Sequence, residues 1–232
     1  MIYERGNSAK QWIMAELDRE FWNRPAQFLD LAGGSGRIWK TYLERHPMTK
    51  VFSVDFDRHA IAEGKKMYEG NEQIQLRVFD AQQPVEQVFD AVTAMSAIEH
   101  VVDRPAFLRT VWLSLKSGGK AYLNYDVGHF RSHDLKERLM VPISQLLALF
   151  HKEGSYMKKV DDALFCSQSL AQGFQVLGMM KHNLHPLKGF MRGASDESLN
   201  KWFEFEDSLN AQFVPDKLDR IMWSTTLILQ KP

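Results

Sequence analysis

The feature that most constrains the fold of this chain is an alternation of two sequence patterns over its first 125 residues. Short runs rich in β-branched and aromatic residues are each followed by a longer stretch with helical spacing of its apolar residues. Such an alternation predicts βαβ units, a parallel sheet with helices on both faces, and right-handed crossovers that make the α/β fold doubly wound. The predicted strands are 28–32, 50–56, 74–79, 88–95 and 119–125, and the helices between them include 36–46, 57–70 and 103–116.

Residues at the ends of the predicted helices fit this interpretation. Asp57 and Asp103 stand where N-caps are expected, and Gly70 and Gly118 stand near helix ends. An amphipathic helix is also expected before the first strand, with Ser8 as its cap.

Beyond residue 125 the alternation gives way to a long stretch of helical pattern, interrupted by Pro142. We interpret 126–160 as a helical insertion that forms a lid on a single domain spanning 1–232. The elements expected after it are a helix near 164–176, a strand over 179–187, a helix over 198–210 and a last strand over 220–229.

Composition excludes several function classes. The 29 basic and 29 acidic residues balance, which makes a nucleic-acid partner unlikely. Cys166 is the single cysteine, so the chain has no intramolecular disulfide, as is typical of a reducing compartment. The first residues lack the layout of a signal peptide, and no apolar stretch approaches the ~20 residues of a membrane span. We therefore expect a cytoplasmic protein with no membrane partner.

A glycine-rich stretch, FLDLAGGSGR at 28–37, ends the first predicted strand, where open α/β sheets bind their ligands. A dinucleotide fingerprint fits it poorly, because Trp39 stands where the third glycine belongs and Asp30 is unwelcome near a pyrophosphate. A nucleophile elbow is excluded, because Ser35 lacks the glycine that should follow it at position 37. A cationic ligand without phosphate remains, as does a plain strand-to-helix turn.

The same stretch resembles motif I of class I S-adenosylmethionine-dependent methyltransferases, in which an apolar strand and an acidic residue precede a run of glycines. Ala32 replaces the first of these glycines, and the variant D-L-A-G-G-[ST]-G is similar to that of quinone-ring carbon methyltransferases. Because alanine is accepted there, we expect a negative φ angle at Ala32.

A second resemblance to this family covers 89–123, which is similar to the pattern F-D-x-V … L-E-H-V-x-D … L-K-P-G-G-x-L. Ile98 replaces the leucine and Ser117 replaces the proline. The resemblance runs from Phe28 to Tyr125. It implies a Rossmann-like, seven-stranded, mostly parallel sheet whose last strand is inserted antiparallel, with S-adenosyl-L-methionine as the cofactor.

The resemblance also implies roles for individual residues. Asp30 receives the ammonium of the cofactor or braces the loop, and Asp55 accepts the ribose hydroxyls, since Asp57 already serves as the cap. Phe56 packs on the adenine, and Asp80 either meets the adenine amino group or is a turn residue. The implied cofactor-binding set is Asp30, Ala32, Gly33, Gly34, Gly36, Asp55, Phe56, Asp80, Ala81, Met95 and Ser96.

A general base is needed only if the methyl acceptor must lose a proton. His100 and His129 are the candidates, although each is also interpretable as a structural loop residue. Tyr3 and Arg5, in the N-terminal arm, are positioned in sequence to close over the carboxylate of the cofactor. No metal site is expected. The remaining histidines favoured as solvated or core residues are His133, His151, His182 and His185.

The expected function is transfer of a methyl group to a small-molecule acceptor. A non-catalytic S-adenosylmethionine-binding or regulatory module is the alternative, and a nicotinamide oxidoreductase is a third. The apolar stretch 140–150 fits an acceptor pocket, ordinary helix packing or the surface of a homodimer equally well.

Overall fold

The computed structural model describes residues 1–131, 156–185 and 187–232, in which seven strands form one sheet. The strands are β1 (Ala26–Leu31), β2 (Thr49–Asp55), β3 (Ile74–Val78), β4 (Phe89–Ala94), β5 (Leu115–Asp126), β6 (Gln175–Leu184) and β7 (Met222–Gln230). The helices are α1 (Ser8–Phe21), α2 (Trp39–Arg45), α3 (Arg58–Met67), α4 (Arg104–Ser114), α5 (Gly128–Arg131), α6 (Asp162–Ala171), α7 (Leu187–Phe190), α8 (Asp196–Gln212) and α9 (Pro215–Leu218).

The order of strands across the sheet is β3-β2-β1-β4-β5-β7-β6. Neighbours from β3 to β5 are parallel, whereas β7 is antiparallel to both β5 and β6. The predicted fold class and the antiparallel insertion of the last strand are therefore confirmed. The chain leaves β1 toward β2 on one side and returns to β4 on the other, so the switch point lies between β1 and β4.

Alternate residues of the strands pack into two separate hydrophobic layers. Phe28 of β1 lies with Trp39 and Tyr42 on one face, and Leu29 lies with Phe107 on the other. Because successive strand residues point to opposite faces, a central strand covered on both sides must be apolar at both sets of positions. This explains why the predicted strands read as nearly continuous apolar runs.

The caps expected for α3 and α4 are confirmed. Asp57 accepts the N–H groups of His59 and Ala60, and Asp103 accepts that of Ala106. The expected cap of α1 is wrong by one residue, because Asn7 is the N-cap and accepts the N–H of Lys10.

Ser8 is instead the first helical residue, and its hydroxyl is used in the core. It bonds to the buried carboxylate of Glu206 on α8, and it accepts the N–H of Asn183 on β6 at 2.8 Å. These partners lie far away in sequence, so local pattern could not reveal them.

Two further boundaries differ from the prediction. Asp161 caps α6 by accepting the N–H of Leu164, and Gly173, at φ +106°, ends it, so α6 is shorter than 164–176. The residues freed in this way allow β6 to begin at Gln175. Gly118, expected at a helix end, lies inside β5.

The predicted lid lies largely outside the described residues, as do Pro142 and the stretch 140–150. Of its described parts, 128–131 form α5 and 156–160 form neither helix nor strand. Within the described ranges, no helix has the length and apolar character needed to cross a bilayer.

Candidate functional site

The loop after β1 carries an unusual backbone. Gly34 and Gly36 have φ angles of +59° and +69°, and Ala32 has +57°. The expectation of a negative φ angle at Ala32 is therefore wrong. The left-handed conformation brings the Cβ of an L-residue against its own backbone and costs about 1–2 kcal/mol. The loop thus requires a positive φ angle at position 32, which glycine adopts without a steric penalty. Alanine adopts it here under strain.

Asp30 is fully buried beneath this loop. Its Oδ2 accepts hydrogen bonds from Trp39 Nε1 at 2.7 Å and from the Ser53 hydroxyl at 3.1 Å, and its Oδ1 accepts one from the Thr93 hydroxyl at 2.9 Å. Burial raises the pKa of this carboxyl, and the three donors oppose the rise. The structure therefore shows Asp30 bracing the loop, and its contact with an ammonium stays a prediction.

Gly33 is the position where this bracing excludes a side chain. A Cβ at Gly33 would lie 2.1 Å from Asp30 Oδ2 and 2.2 Å from the Ser53 hydroxyl oxygen. Its N–H donates to the carbonyl of Val54 at 3.0 Å, which ties the loop to β2. Close backbone approach, rather than φ, is what requires glycine here.

The helix α3 supports the loop from the other side. The hydroxyl of Tyr68 donates to the carbonyl of Gly36 at 2.7 Å. A Cβ at Gly64 would lie 2.5 Å from the carbonyl oxygen of Ser35, so α3 packs directly on the loop. The sequence analysis missed both contacts. A glycine inside an otherwise regular helix was the available signal for the second.

Asp55 ends β2 and is 9% exposed. Its Oδ2 accepts the N–H of Gly34 and its Oδ1 that of Asp57, both at 2.8 Å. Asp55 thus braces the loop, each of its oxygens keeps a second lone pair that a hydroxyl could use, and its contact with a ribose stays a prediction. Phe56 follows it with 57% of its surface exposed, which leaves a ring face open to a ligand.

Asp80 lies in the turn after β3. Its Oδ1 accepts the backbone N–H of Gln82 at 2.9 Å, and Gln82 Oε1 in turn accepts the N–H of Asp103 at 2.8 Å. The role of a turn residue is thus observed, and the contact with adenine stays a prediction. Ala81 packs against the hydrophobic layer of the sheet.

A cavity of about 580 Å³ opens at the carboxyl ends of β1 and β4. Asp30, Ala32, Gly33 and Met95 line it, which joins four of the predicted cofactor-binding residues in one space. The N-terminal arm, α2 and the segment after α7 supply its other walls, namely Tyr3, Glu4, Arg5, Lys10, Ser35, Arg37, Ile38, Lys40, Thr41 and Arg192.

Ser96 follows Met95 with a left-handed φ angle of +58°. Its N–H donates to Asn124 Oδ1 at 3.1 Å. The Asn124 amide in turn donates to the Ser224 hydroxyl and to the carbonyl of Thr225 on β7, both at 2.9 Å. A hydrogen-bonded chain from β7 through β5 therefore holds the backbone at the end of β4 in a strained shape, as is common at functional sites.

The two histidines proposed as bases occupy different places. His100 is exposed, and its Nδ1 lies 3.0 Å from the carbonyl oxygen of Tyr156, so its ring is bonded to the chain that follows the undescribed segment. His129 lies on α5 directly after β5. Neither placement tests a role in proton transfer.

Glu99 is a functional candidate that the sequence analysis missed. It is buried, its Oε1 accepts the N–H of Asp126 at 3.2 Å, and its Oε2 has no hydrogen-bond partner in the part of the chain that the structure describes. Burial raises the pKa of Glu99 to about 7, and the positive charge of Lys188 opposes the rise. Lys188 itself forms an ion pair with Asp126.

Among the histidines that were expected to be solvated or core residues, His182 and His185 lie in the described ranges. His182 is buried, and burial lowers its pKa to about 3, so it is neutral. The ring of His185 stacks on that of Trp223 with centroids 3.5 Å apart. His133 and His151 lie outside these ranges. Across 1–131, 156–185 and 187–232, no three His, Cys, Asp or Glu side chains form a group that could hold a metal.

Comparison with known proteins shows which proteins this part of the chain resembles. The family described as "Methyltransferase domain" matches residues 29–123, which carry both the loop and β4. Over these residues, about two fifths of its length, the chain is similar to methyltransferase domains. A stretch of 96 residues is 34% identical to the ubiquinone/menaquinone biosynthesis C-methyltransferase UbiE of Desulfotalea psychrophila, covering 40% of this chain and 39% of that protein.

Solved structures share the fold over nearly the whole chain. Phosphoethanolamine N-methyltransferase 2 of Haemonchus contortus, in complex with S-adenosyl-L-methionine, has a TM-score of 0.61 at 16% identity, covering 95% of this chain and 52% of that one. An O-methyltransferase of Brevibacillus brevis, in complex with S-adenosyl-L-homocysteine, has 0.59 at 11% identity, covering 95% and 71%. The [4+2]-cyclase SpnF has 0.61 at 13% identity, covering 95% and 81%. At such identities the likeness shows the fold alone.

The residues present fit the cofactor of this family. Gly34 has open space where a Cβ would stand, so a ligand can approach the loop backbone closely. The carboxylate of Asp55 and the exposed ring of Phe56 adjoin that loop, as a ribose and an adenine require. The cavity beside Met95 has room for the amino-acid end of the molecule.

Proposed function

We propose that this chain transfers a methyl group from S-adenosylmethionine to a small-molecule acceptor. The observation that supports the proposal best is the cavity at the β1/β4 switch point, because the family's glycine loop forms one of its walls. When bound, the cofactor supplies an activated methyl group, which leaves neutral sulfur behind as it moves to the acceptor. The task of the protein is to align the two molecules and exclude water.

We assign the cofactor contacts to the residues that border the loop. Asp55 accepts the ribose hydroxyls with the lone pairs that its backbone bonds leave free, and Phe56 packs on the adenine. Asp80 and Ala81 meet the adenine edge, and Met95 and Ser96 lie nearest the sulfur. We assign Asp30 the role of bracing the loop, because three donors of the chain bind its two oxygens, and its contact with the ammonium of the cofactor stays a prediction.

We propose two candidates for the group that accepts a proton from the methyl acceptor. His100 and His129 both lie beyond the carboxyl ends of β4 and β5, where the acceptor is expected. If the nucleophile is an acidic carbon or a phenol, an imidazole is a suitable group to take its proton. The match of 96 residues to a C-methyltransferase supports a carbon as one kind of nucleophile.

A non-catalytic S-adenosylmethionine-binding module is the alternative. The fold is shared with a protein named as a [4+2]-cyclase, so the architecture by itself does not specify methyl transfer. A cytoplasmic location and a homodimer also stay predictions of the sequence.

Binding and turnover together test the proposal. Calorimetry with S-adenosylmethionine, S-adenosylhomocysteine and NADH should show heat for the first two only. Transfer of radiolabelled methyl from the cofactor to a small-molecule extract, with protein and RNA fractions in parallel, identifies the acceptor class. Binding without transfer to any fraction would favour the non-catalytic module, and absence of binding by both sulfur compounds would refute the proposal.

The ribose assignment has its own test in Asp55→Ala. Loss of hydrogen bonds to a charged acceptor should weaken S-adenosylhomocysteine binding by about 1.5–3 kcal/mol, or roughly 10- to 150-fold. Asp161→Ala is the matched control, because that carboxylate caps α6 and is outside the predicted cofactor-binding set. Equal affinities of the Asp55→Ala variant and the native chain would show that Asp55 does not contact the ribose.

A further inference from the structure

The cavity is larger than the amino-acid end of the cofactor needs. Asp55 and Asp80, the residues assigned to the ribose and the adenine, do not line it. Its volume of about 580 Å³ is therefore shared between the methionine end and whatever lies beyond the methyl group. Pockets for complete drug-sized ligands begin at about 300 Å³, so this space can accept a second small molecule.

The walls of this cavity carry an excess of positive charge. Asp30 and Glu4 are the acidic residues among them, and Asp30 is fully buried under its own donors. Two of the cations are already paired, since Arg5 contacts Asp196 at 2.6 Å and Arg37 contacts Glu63 at 2.8 Å. The lining cations for which the described residues provide no acidic partner are Lys10, Lys40 and Arg192.

Lys10 is the cation that α1 contributes to the cavity. It is half-buried on the first turn of α1, and its positive charge lowers the pKa of Asp30 at the loop end of the cavity. The same charge lowers the pKa of Glu99 and that of Lys188 at the ends of β4 and α7. Lys10 thus shares the cavity with Asp30 and Met95, at the carboxyl ends of β1 and β4.

Arg192 reaches the same cavity from the segment after α7. The backbone of this segment is held in place by Arg5, whose guanidinium donates to the carbonyl of Arg192 at 3.2 Å and to that of Ala194 at 2.5 Å. The N-terminal arm also packs on the Arg192 side chain, because a Cβ at Gly6 would lie 3.1 Å from its Nε. Arg192 is thus positioned by the arm but keeps its donors for another partner.

We propose that the methyl acceptor is a small anion whose negative group is bound by Lys10 and Arg192. The inference rests on the methyl transfer proposed above. We place the carboxylate of the cofactor against Lys40 of α2, the helix that follows the glycine loop, and this leaves Lys10 and Arg192 without an acidic partner among the described residues. A planar guanidinium and an ammonium at the edge of a partly enclosed cavity together suit a carboxylate or a phosphate.

The test measures anion binding directly, in the complex with S-adenosylhomocysteine and in the chain alone. Acetate, benzoate, cinnamate and inorganic phosphate are titrated by calorimetry, and each organic acid is compared with its neutral amide. We expect at least one acid to bind the complex about tenfold more tightly than its amide, as one charge-assisted hydrogen bond implies. Lys10→Gln and Arg192→Gln should each remove about that factor and leave amide binding unchanged.

Lys50→Gln is the matched control, since Lys50 is an exposed lysine near the amino end of β2, at the opposite edge of the sheet. It should bind every probe as the native chain does. The proposal is overturned if no anion is preferred over its neutral counterpart, or if Lys10→Gln weakens S-adenosylhomocysteine alone. Failure of S-adenosylhomocysteine itself to bind would refute the methyl-transfer proposal. A complex that forms with S-adenosylhomocysteine but does not bind anions would refute only the anion proposal.

Discussion

Replacing Glu99 by glutamine is expected to stabilise the folded chain, and increasingly so as the pH rises. Burial raises the pKa of this carboxyl from its ordinary value of 4.5 to about 7. Between these two values the unfolded chain has lost a proton that the folded chain still holds. Stability must therefore fall as the pH increases through this window. Glutamine keeps the shape and the acceptor for the Asp126 N–H but cannot ionise.

The magnitude follows from the same two values. The gap between 4.5 and about 7 corresponds to about 3 kcal/mol, at ~1.36 kcal/mol per pKa unit. Linkage then predicts that Glu99→Gln gains about 1 kcal/mol over the native chain at pH 5 and about 3 kcal/mol at pH 8. Lys188, Arg104 and Lys10 stabilise the ionised form, and their effect is already contained in this pKa.

Urea unfolding of both proteins at pH 5, 6, 7 and 8 measures this difference, since all other titrating groups are common to both. Glu72→Gln, at an exposed glutamate ahead of β3, controls for the loss of one negative charge from the chain. A stability difference between Glu99→Gln and the native chain that stays constant from pH 5 to pH 8 would refute the reasoning. It would mean that Glu99 ionises in the folded protein as it does in the unfolded one.

Two further substitutions test the loop after β1. Ala32→Gly should relieve the left-handed strain of about 1–2 kcal/mol, less the ~0.4–1 kcal/mol of backbone entropy that glycine loses on folding, for a net gain of about 0.5–1 kcal/mol in thermal unfolding. A clear loss of stability would contradict the φ angle of +57°. Trp39→Phe removes the indole donor to Asp30 and should destabilise the chain by about 1–3 kcal/mol in urea, with S-adenosylhomocysteine affinity falling as the loop loosens. Trp22→Phe, at the exposed end of α1, is the control, and equal effects of the two changes would argue against a specific role for the Trp39–Asp30 bond.

The sequence predicted the parts of the fold that depend on interactions between residues close together in the chain. Strands β1 to β5 and the caps at Asp57 and Asp103 were predicted within a few residues, apart from the start of β5, because strand burial and capping leave local patterns. The cap of α1 was misplaced because Asn7 and Ser8 are both good caps, and the choice depends on Glu206 and Asn183, more than 170 residues away.

The same contrast between local patterns and long-range interactions holds for the candidate site. The motifs indicated which residues surround the loop, but the sign of φ at Ala32 and the occupied oxygens of Asp55 depend on how β2 and the loop backbone approach each other. Glu99 was part of a quoted motif, yet its burial and unpaired oxygen arise only when β5 closes over it.

The sequence by itself therefore determined the order of elements and the resemblance to methyltransferase domains. Both follow from short-range periodicity and from motifs that are contiguous in the chain. Only the tertiary structure decided which charges line the cavity. Lys10, Lys40 and Arg192 come from three separate elements, and they share one cavity because the sheet brings α1, α2 and the segment after α7 to its carboxyl edge. The charge of a site depends on which residues meet in space, and the spacing of residues along the chain does not reveal this.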